Sequence, residues 1–250
     1  MLPNQICKVL STIQKHQVRA LLMGGQACVL YGSAILSRDV DFAILAESSN
    51  LARLQLALDE LQAEVIAVPP FEQQYLDEGL AVHFRCRHPE AEDLRVDVMS
   101  RMRGVPDFEQ VWSRRATIEL PDGTLVEVMG ISDLVKAKKT QRDKDWPMIR
   151  RLVDADYKAN CQSPTPRQIQ FWFAENRHPE TIIALVKRFP AEAGQAAMRP
   201  AVAFAVAGKQ QEVVAALRAE EDAEREADRI YWLPLRARLE ELRRARRETQ

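Results

Sequence analysis

At 250 residues the chain is longer than one small core needs and short for two full domains, so a domain with an appendage is the expected organisation. Hydrophobic residues at 46% and charged residues at 28% exclude a wholly disordered chain. With 35 Lys+Arg against 36 Asp+Glu, the net charge of −1 points to neither nucleic acid nor a membrane surface.

In chain order, residues 3–17 place Ile6, Val9, Leu10 and Ile13 on one helical face. Val18–Met23 reads as a strand that ends at Gly24-Gly25. Residues 26–33 read as a short helix and Asp39–Leu45 as a second strand. Leu51, Leu54, Leu58 and Leu61 mark an amphipathic helix, and Glu64–Val68, Val82–Cys86 and Leu94–Met99 read as further strands. Thr117–Leu120 and Leu125–Met129 flank PDGT, whose Asp-Gly suits a hairpin turn. A helix is expected from Ser132, with that hydroxyl as its N-cap, and another from about Lys144 with Pro147 in its first turn.

The composition changes near residue 160. Residues 1–160 hold seven of the nine glycines, with 20 basic and 23 acidic residues; residues 161–250 hold 15 basic and 13 acidic residues and look helical throughout. The expected fold class is therefore a mixed α/β (α+β) domain over 1–160, its sheet flanked by helices, followed by an all-helical region over 161–250. SPTP at 163–166 reads as a linker or a helix start. Trp172 is expected in the core, Pro234 is expected to break or kink the last helix, and the arginines from 236 to 247 read as a solvated or partner helix.

The four cysteines, Cys7, Cys28, Cys86 and Cys161, form no Cys-x-x-Cys pair, so neither a zinc site nor a disulfide framework is expected and a reducing cytoplasm is. MLPNQICKVL lacks the basic start and apolar run of a signal peptide. The apolar run AVAFAVA at 201–207 is far short of the roughly 20 residues that span a bilayer, so no membrane partner is expected.

The chemistry concentrates in LLMGGQACVLYGSAILSRDVDFAIL, residues 21–45. Two glycines between strand and helix allow a sharp turn and close approach to a ligand, though such a pair is also an ordinary turn. Asp39 and Asp41, two apart on a strand, share one face, while Val40, Phe42 and Ile44 take the other. Two such carboxylates repel unless a cation intervenes, and a divalent metal with oxygen ligands would supply it; otherwise the face is solvated. Asp97, alternating with Val96 and Val98, would complete a three-carboxylate cluster able to hold two Mg²⁺ ions for phosphoryl or nucleotidyl transfer. On the helix expected from Ser132, Lys138, Arg142 and Asp145 fall on one face. There Lys138 and Arg142 could meet a triphosphate and Asp145 could hold Arg142.

The run Gly24-Gly25-x-Ala27, Tyr31-Gly32, Ser37-x-Asp39-Val40-Asp41 resembles the DNA polymerase β-like nucleotidyltransferase superfamily, most closely the branch of the AbiEii-type toxins of toxin–antitoxin and phage-defence systems. Asp97 matches its third carboxylate, and Asp133-Leu134-Val135, Lys138, Arg142 and Lys144-Asp145 match its later helix, so the resemblance spans roughly 18–155. It implies Mg²⁺ (or Mn²⁺) on Asp39, Asp41 and Asp97, with Asp97 also a base toward an acceptor hydroxyl. It implies phosphates of an NTP cradled by Gly24 and Gly25 near Ser37, and phosphate contacts from Lys138 and Arg142. Ile35 stands where the family usually carries a basic residue, and Arg38 is the nearest substitute. The implied activity is transfer of a nucleotide to a macromolecular acceptor, tRNA or protein, as a component of a toxin–antitoxin pair. The alternative is a catalytically inactive protein on the same fold that binds a nucleotide or a partner protein.

Overall fold

Apolar residues alternate with polar ones in DVDFAI and RVDVM, and the sheet is organised around these two segments. The structure is a computed structural model that describes residues 3–33 and 38–248. The chain forms two compact units: one takes the segments up to Leu30, Ala34–Ala137 and from Tyr231 onward, and the other takes Tyr31–Ser33 and Lys138–Ile230.

The first unit holds a seven-stranded mixed sheet, as the sequence led us to expect. Its strands are β1 (Ala20–Met23), β2 (Asp39–Ile44), β3 (Glu64–Val65), β4 (Val82–Arg85), β5 (Arg95–Met99), β6 (Ala116–Glu119) and β7 (Leu125–Val128), in the order β3-β4-β5-β2-β1-β7-β6. The β2–β5 and β1–β7 pairs are parallel and the other pairs antiparallel. Helices α1 (Asn4–Lys15), α2 (Gly24–Leu30), α3 (Ser48–Glu60), α4 (Gln73–Asp77), α5 (Phe108–Trp112) and α6 (Ile131–Ala137) accompany it. Phe42 is buried on the apolar side of the sheet with Val40, Val96 and Val98, and it lines one cavity together with Leu10 and Ile13 of α1. Each such side chain contributes about 1.5–3 kcal/mol. A one-residue slip of β2 would put Asp39 and Asp41 into that layer in place of Phe42, so the register is strongly specified. Asn50 is fully buried and clasps the backbone of Arg19 and Leu45, tying α3 to the edges of β1 and β2.

Several boundaries differ from the sequence expectation. β3 stops at Val65, because Pro69 and Pro70 lack the donors that a longer ladder needs. Helix α6 begins at Ile131, with the amides of Asp133 and Leu134 bonded to the Gly130 carbonyl, so Ser132 sits inside the first turn and is not its cap. It ends at Ala137, so Lys138, Arg142 and Asp145 do not share a helix face. The PDGT hairpin forms, with Gly123 at φ +82 and the Asp122 side chain accepting from the Thr124 amide.

The second unit is helical: α7 (Asp145–Asn160), α8 (Pro166–Glu175), α9 (Pro179–Arg188), α10 (Pro190–Gln195), α11 (Pro200–Val206) and the earlier part of α12 (Gln210–Glu248). Four of these helices start on a proline, whose missing N–H costs nothing at that position. SPTP is a helix start, with Thr165 and Gln168 forming a reciprocal capping box. Trp172 is fully buried and its indole N–H donates to Asp156 at 2.7 Å. The compositional break near 160 falls inside this unit, because Tyr157 of α7 packs edge-on against Trp172 of α8. Pro234 does not end α12. It removes the bond to the Ile230 carbonyl, and both residues are exposed, so water can replace that donor. Among the described residues no helix is long and apolar enough to cross a membrane.

Candidate active site

The strand registers assemble the site. Parallel pairing of β2 with β5 sets Asp39 opposite Arg95 and Asp41 opposite Asp97. On the far side of β5, His83 of β4 lies opposite Asp97; on the far side of β2, Met23 of β1 lies opposite Asp41. Neighbouring strands lie about 4.8 Å apart, so His83, Asp97 and Asp41 form one row across the polar face, with Arg95 and Asp39 in the next. All five are partly exposed, whereas Val40, Phe42, Val96 and Val98 behind them are buried.

Asp97 is engaged on this face. Its Oδ1 accepts from Arg95 Nε at 2.8 Å and lies 2.9 Å from His83 Nδ1, and Arg95 Nη2 is 3.1 Å from that same ring nitrogen. Burial pushes the Asp97 carboxyl up, but the bonds and charges of His83 and Arg95 outweigh it and hold the acid below its ordinary range. Arg95 is held charged, first by its bond to Asp97 and also by the fields of Asp97, Asp39 and Asp41.

Gly24 brings the backbone onto this row. It has φ +66, and a Cβ placed on it would fall on Asp41 Oδ2. The glycine therefore lets the start of α2 lie directly against the Asp41 carboxylate. Gly25 follows, buried in the first turn of α2. Arg38 is exposed just before β2, and Ser37 and Ile35 lie outside the described residues.

Lys138 and Arg142 belong to the second unit, where both converge on Asp145. Lys138 Nζ is 3.2 Å from Asp145 Oδ1; Arg142 Nε and the Thr140 hydroxyl donate to Oδ2 at 2.8 and 2.6 Å. The chain reaches this arrangement through a non-helical segment pinned by Trp146, whose indole N–H donates to the Thr140 carbonyl. Burial would raise the Asp145 carboxyl; the charge of Lys138, with Thr140 and Arg142, outweighs it and keeps the acid low. Asp145→Ala leaves Lys138 buried without its counter-ion and is expected to cost about 3–5 kcal/mol, measured by chemical denaturation. Because the folded-state pKa is lowered, this stabilisation is complete above about pH 4 and is lost as the pH falls through and below that range. The melting temperature of the wild type is expected to drop on acidification, and the drop should shrink in Asp145→Asn. Asp133, in the same stretch of sequence, is buried and takes a two-pronged bond from Arg114 at 3.0 and 3.1 Å, which fastens α6 to the segment before β6.

Sequence reasoning passed over His83 and Arg95. Arg95 carried a usable signal, since it stands two residues before Asp97 in a period-two strand and so shares its face. His83 alternates with the buried Val82 and Phe84, but its partner lies on another strand.

The hard carboxylate oxygens of Asp39 and Asp41, two residues apart on one strand face, are of the ligand type that Mg²⁺ or Mn²⁺ takes. Among the described residues no three His, Cys, Asp or Glu side chains are grouped so as to hold one ion together. Neither a protein-family model nor a curated protein matches the chain. Among solved structures it is similar to the solution structure of the antibiotic-resistance factor ANT(2'')-Ia, at 13% identity over 88% of this chain and 92% of that one, with a TM-score of 0.37.

Proposed function

We propose that the chain is a metal-dependent nucleotidyltransferase that moves a nucleotide from an NTP to a hydroxyl of a macromolecule. The observation that carries this reading is the register that sets Asp41 beside Asp97, with Asp39 on the same face and Gly24 against Asp41. Three carboxylates on one sheet face, one of them already held by Arg95 and His83, suit a site that takes a cationic ligand. The order of short motifs along residues 18–155 supports the same reading.

In this reading Asp39 and Asp41 hold Mg²⁺ or Mn²⁺, which when bound supplies charge stabilisation at the reacting phosphate. Asp97 takes the proton of the acceptor hydroxyl, whose oxygen bonds to the α-phosphorus as the bond to the β-phosphate oxygen breaks and pyrophosphate leaves. Arg95 and His83 orient the Asp97 carboxylate for that transfer. Gly24 keeps the backbone close enough to Asp41 to fix its side chain. The acceptor expected from the motif resemblance is tRNA or a protein, in the setting of a toxin–antitoxin pair.

The test is incubation of the protein with α-labelled NTPs, Mg²⁺ or Mn²⁺ and cell extract. Transfer of label to nuclease-sensitive or protease-sensitive material identifies the acceptor class. Equal labelling by wild type and by the Asp39→Ala/Asp41→Ala variant would sink the proposal. Nucleotide binding without any transfer would favour the inactive, partner-binding alternative.

A further inference from the structure

Strands β1 and β7 pair at one end only. Leu45 N–H bonds to the Arg19 carbonyl, and in that register Arg19, Leu21 and Met23 give their backbone groups to β2, which turns those of Ala20 and Leu22 toward β7. On β7, Leu120 N–H bonds to the Thr124 carbonyl, so Val126 and Val128 serve β6 while Leu125 and Glu127 turn theirs toward β1. Met129 N–H reaches the Leu22 carbonyl, and a continued parallel ladder would next bond Glu127 N–H to the Ala20 carbonyl. The ladder stops short of that rung: among the described residues Leu22 and Val128 are the single pair between the two strands. A cavity of about 290 Å³ lies at this opening. Successive residues of both strands line it, Arg19 and Ala20 on one and Leu125, Val126 and Glu127 on the other, so it reaches the backbone between them. Leu10, Ile13 and Phe42 give it an apolar wall, and the exposed Gln14 and Leu125 mark its mouth.

Trp112 also lines the cavity, with Arg19 Cζ 5.0 Å and Arg115 Cζ 4.3 Å from its ring centre. Arg19 leads into β1 and Arg115 bonds to Glu127 of β7, so an indole and two guanidiniums connect the strands where the backbone does not. The charges at this rim are matched among themselves. Arg19 donates to both oxygens of Glu109 at 2.6 and 2.8 Å, and Arg115 Nε donates to Glu127 at 2.7 Å. What the cavity offers a ligand is therefore an apolar wall, the Glu127 N–H as donor and the Ala20 carbonyl as acceptor. We infer that this opening in the sheet binds a small uncharged ring that carries an amide N–H and C=O, the ring completing the contact between Glu127 and Ala20. Its carbonyl accepts from Glu127 N–H and its N–H donates to the Ala20 carbonyl, while its body packs on Ile13 and Phe42.

Titration of the full chain with uracil, and separately with glycine anhydride, tests this by nuclear magnetic resonance of the backbone and indole N–H groups. At least one of the two rings is expected to give saturable shifts of the Glu127 amide and the Trp112 indole, and to raise the melting temperature when in excess. Which of them binds tells whether the amide belongs to a nucleobase or to a cyclic peptide. The N,N′-dimethyl form of that ring has the same body without the donor, and is expected to bind about tenfold more weakly. Ala20→Leu, which fills the cavity from β1, is expected to abolish the shifts, with circular dichroism showing that the variant is folded. No saturable shift with either ring, equal affinity for the dimethyl form, or unchanged shifts in folded Ala20→Leu overturns the inference. The first two outcomes are read on the wild type and need no variant to fold.

Discussion

Replacing Asp39 and Asp41 together by Asn is expected to lower nucleotide transfer by about a thousandfold or more while leaving the melting temperature within a few degrees of wild type. Asparagine keeps the size and strand position of each side chain and removes only the charges. The apolar layer of Val40 and Phe42 behind them, which sets the register, is untouched. A residue retained for packing or pairing behaves in the opposite way, losing stability along with activity. Parallel measurement of transfer rate and thermal unfolding therefore separates the two roles. A large fall in melting temperature together with unchanged transfer would show these acids to be structural.

Much of this face is readable in the sequence because side-chain alternation is a local property. DVDFAI and RVDVM place their acids on one side and their valines and Phe42 on the other whatever else the chain does. The mixed sheet and the helical region that follows it are legible for the same reason. What alternation does not contain is which strands become neighbours. Asp41 and Asp97 are brought together by a parallel pairing between segments more than fifty residues apart, and His83 meets Asp97 only through β4 on the other side. The stretch after α6 failed differently. Lys138, Arg142 and Asp145 have helical spacing and do meet, but in a segment where Thr140 and Trp146 compete for the backbone and side-chain bonds that a helix would use. Spacing identified the partners and misjudged the conformation. Pro234 shows the converse, since a strong local breaker is tolerated where the orphaned carbonyl faces water.

Gly24→Ala adds a single methyl group and is expected to reduce transfer about as severely as loss of Asp41, with a stability cost of about 1–3 kcal/mol. Two independent effects act at this position. The residue sits at φ +66, where an alanine pays about 1 kcal/mol of backbone strain wherever its side chain points. The new Cβ would also fall on Asp41 Oδ2, with Asp41 Cγ and Cβ close behind, so the carboxylate has to swing away or β1 and β2 have to separate at the Met23–Asp41 pair. The two contributions can be resolved by a double-mutant cycle with Asp41→Ala. Removing the Asp41 carboxylate takes away the two closest contacts and leaves the new methyl group against Asp41 Cβ, so in that background the cost of Gly24→Ala should fall while staying above the backbone share. Equal costs in both backgrounds would mean that the Asp41 side chain does not rest on Gly24, and the close approach that fixes Asp41 in the proposed site would have to be abandoned. A smaller cost in the Asp41→Ala background would mean that the glycine is required there because the carboxylate occupies the space of its missing side chain.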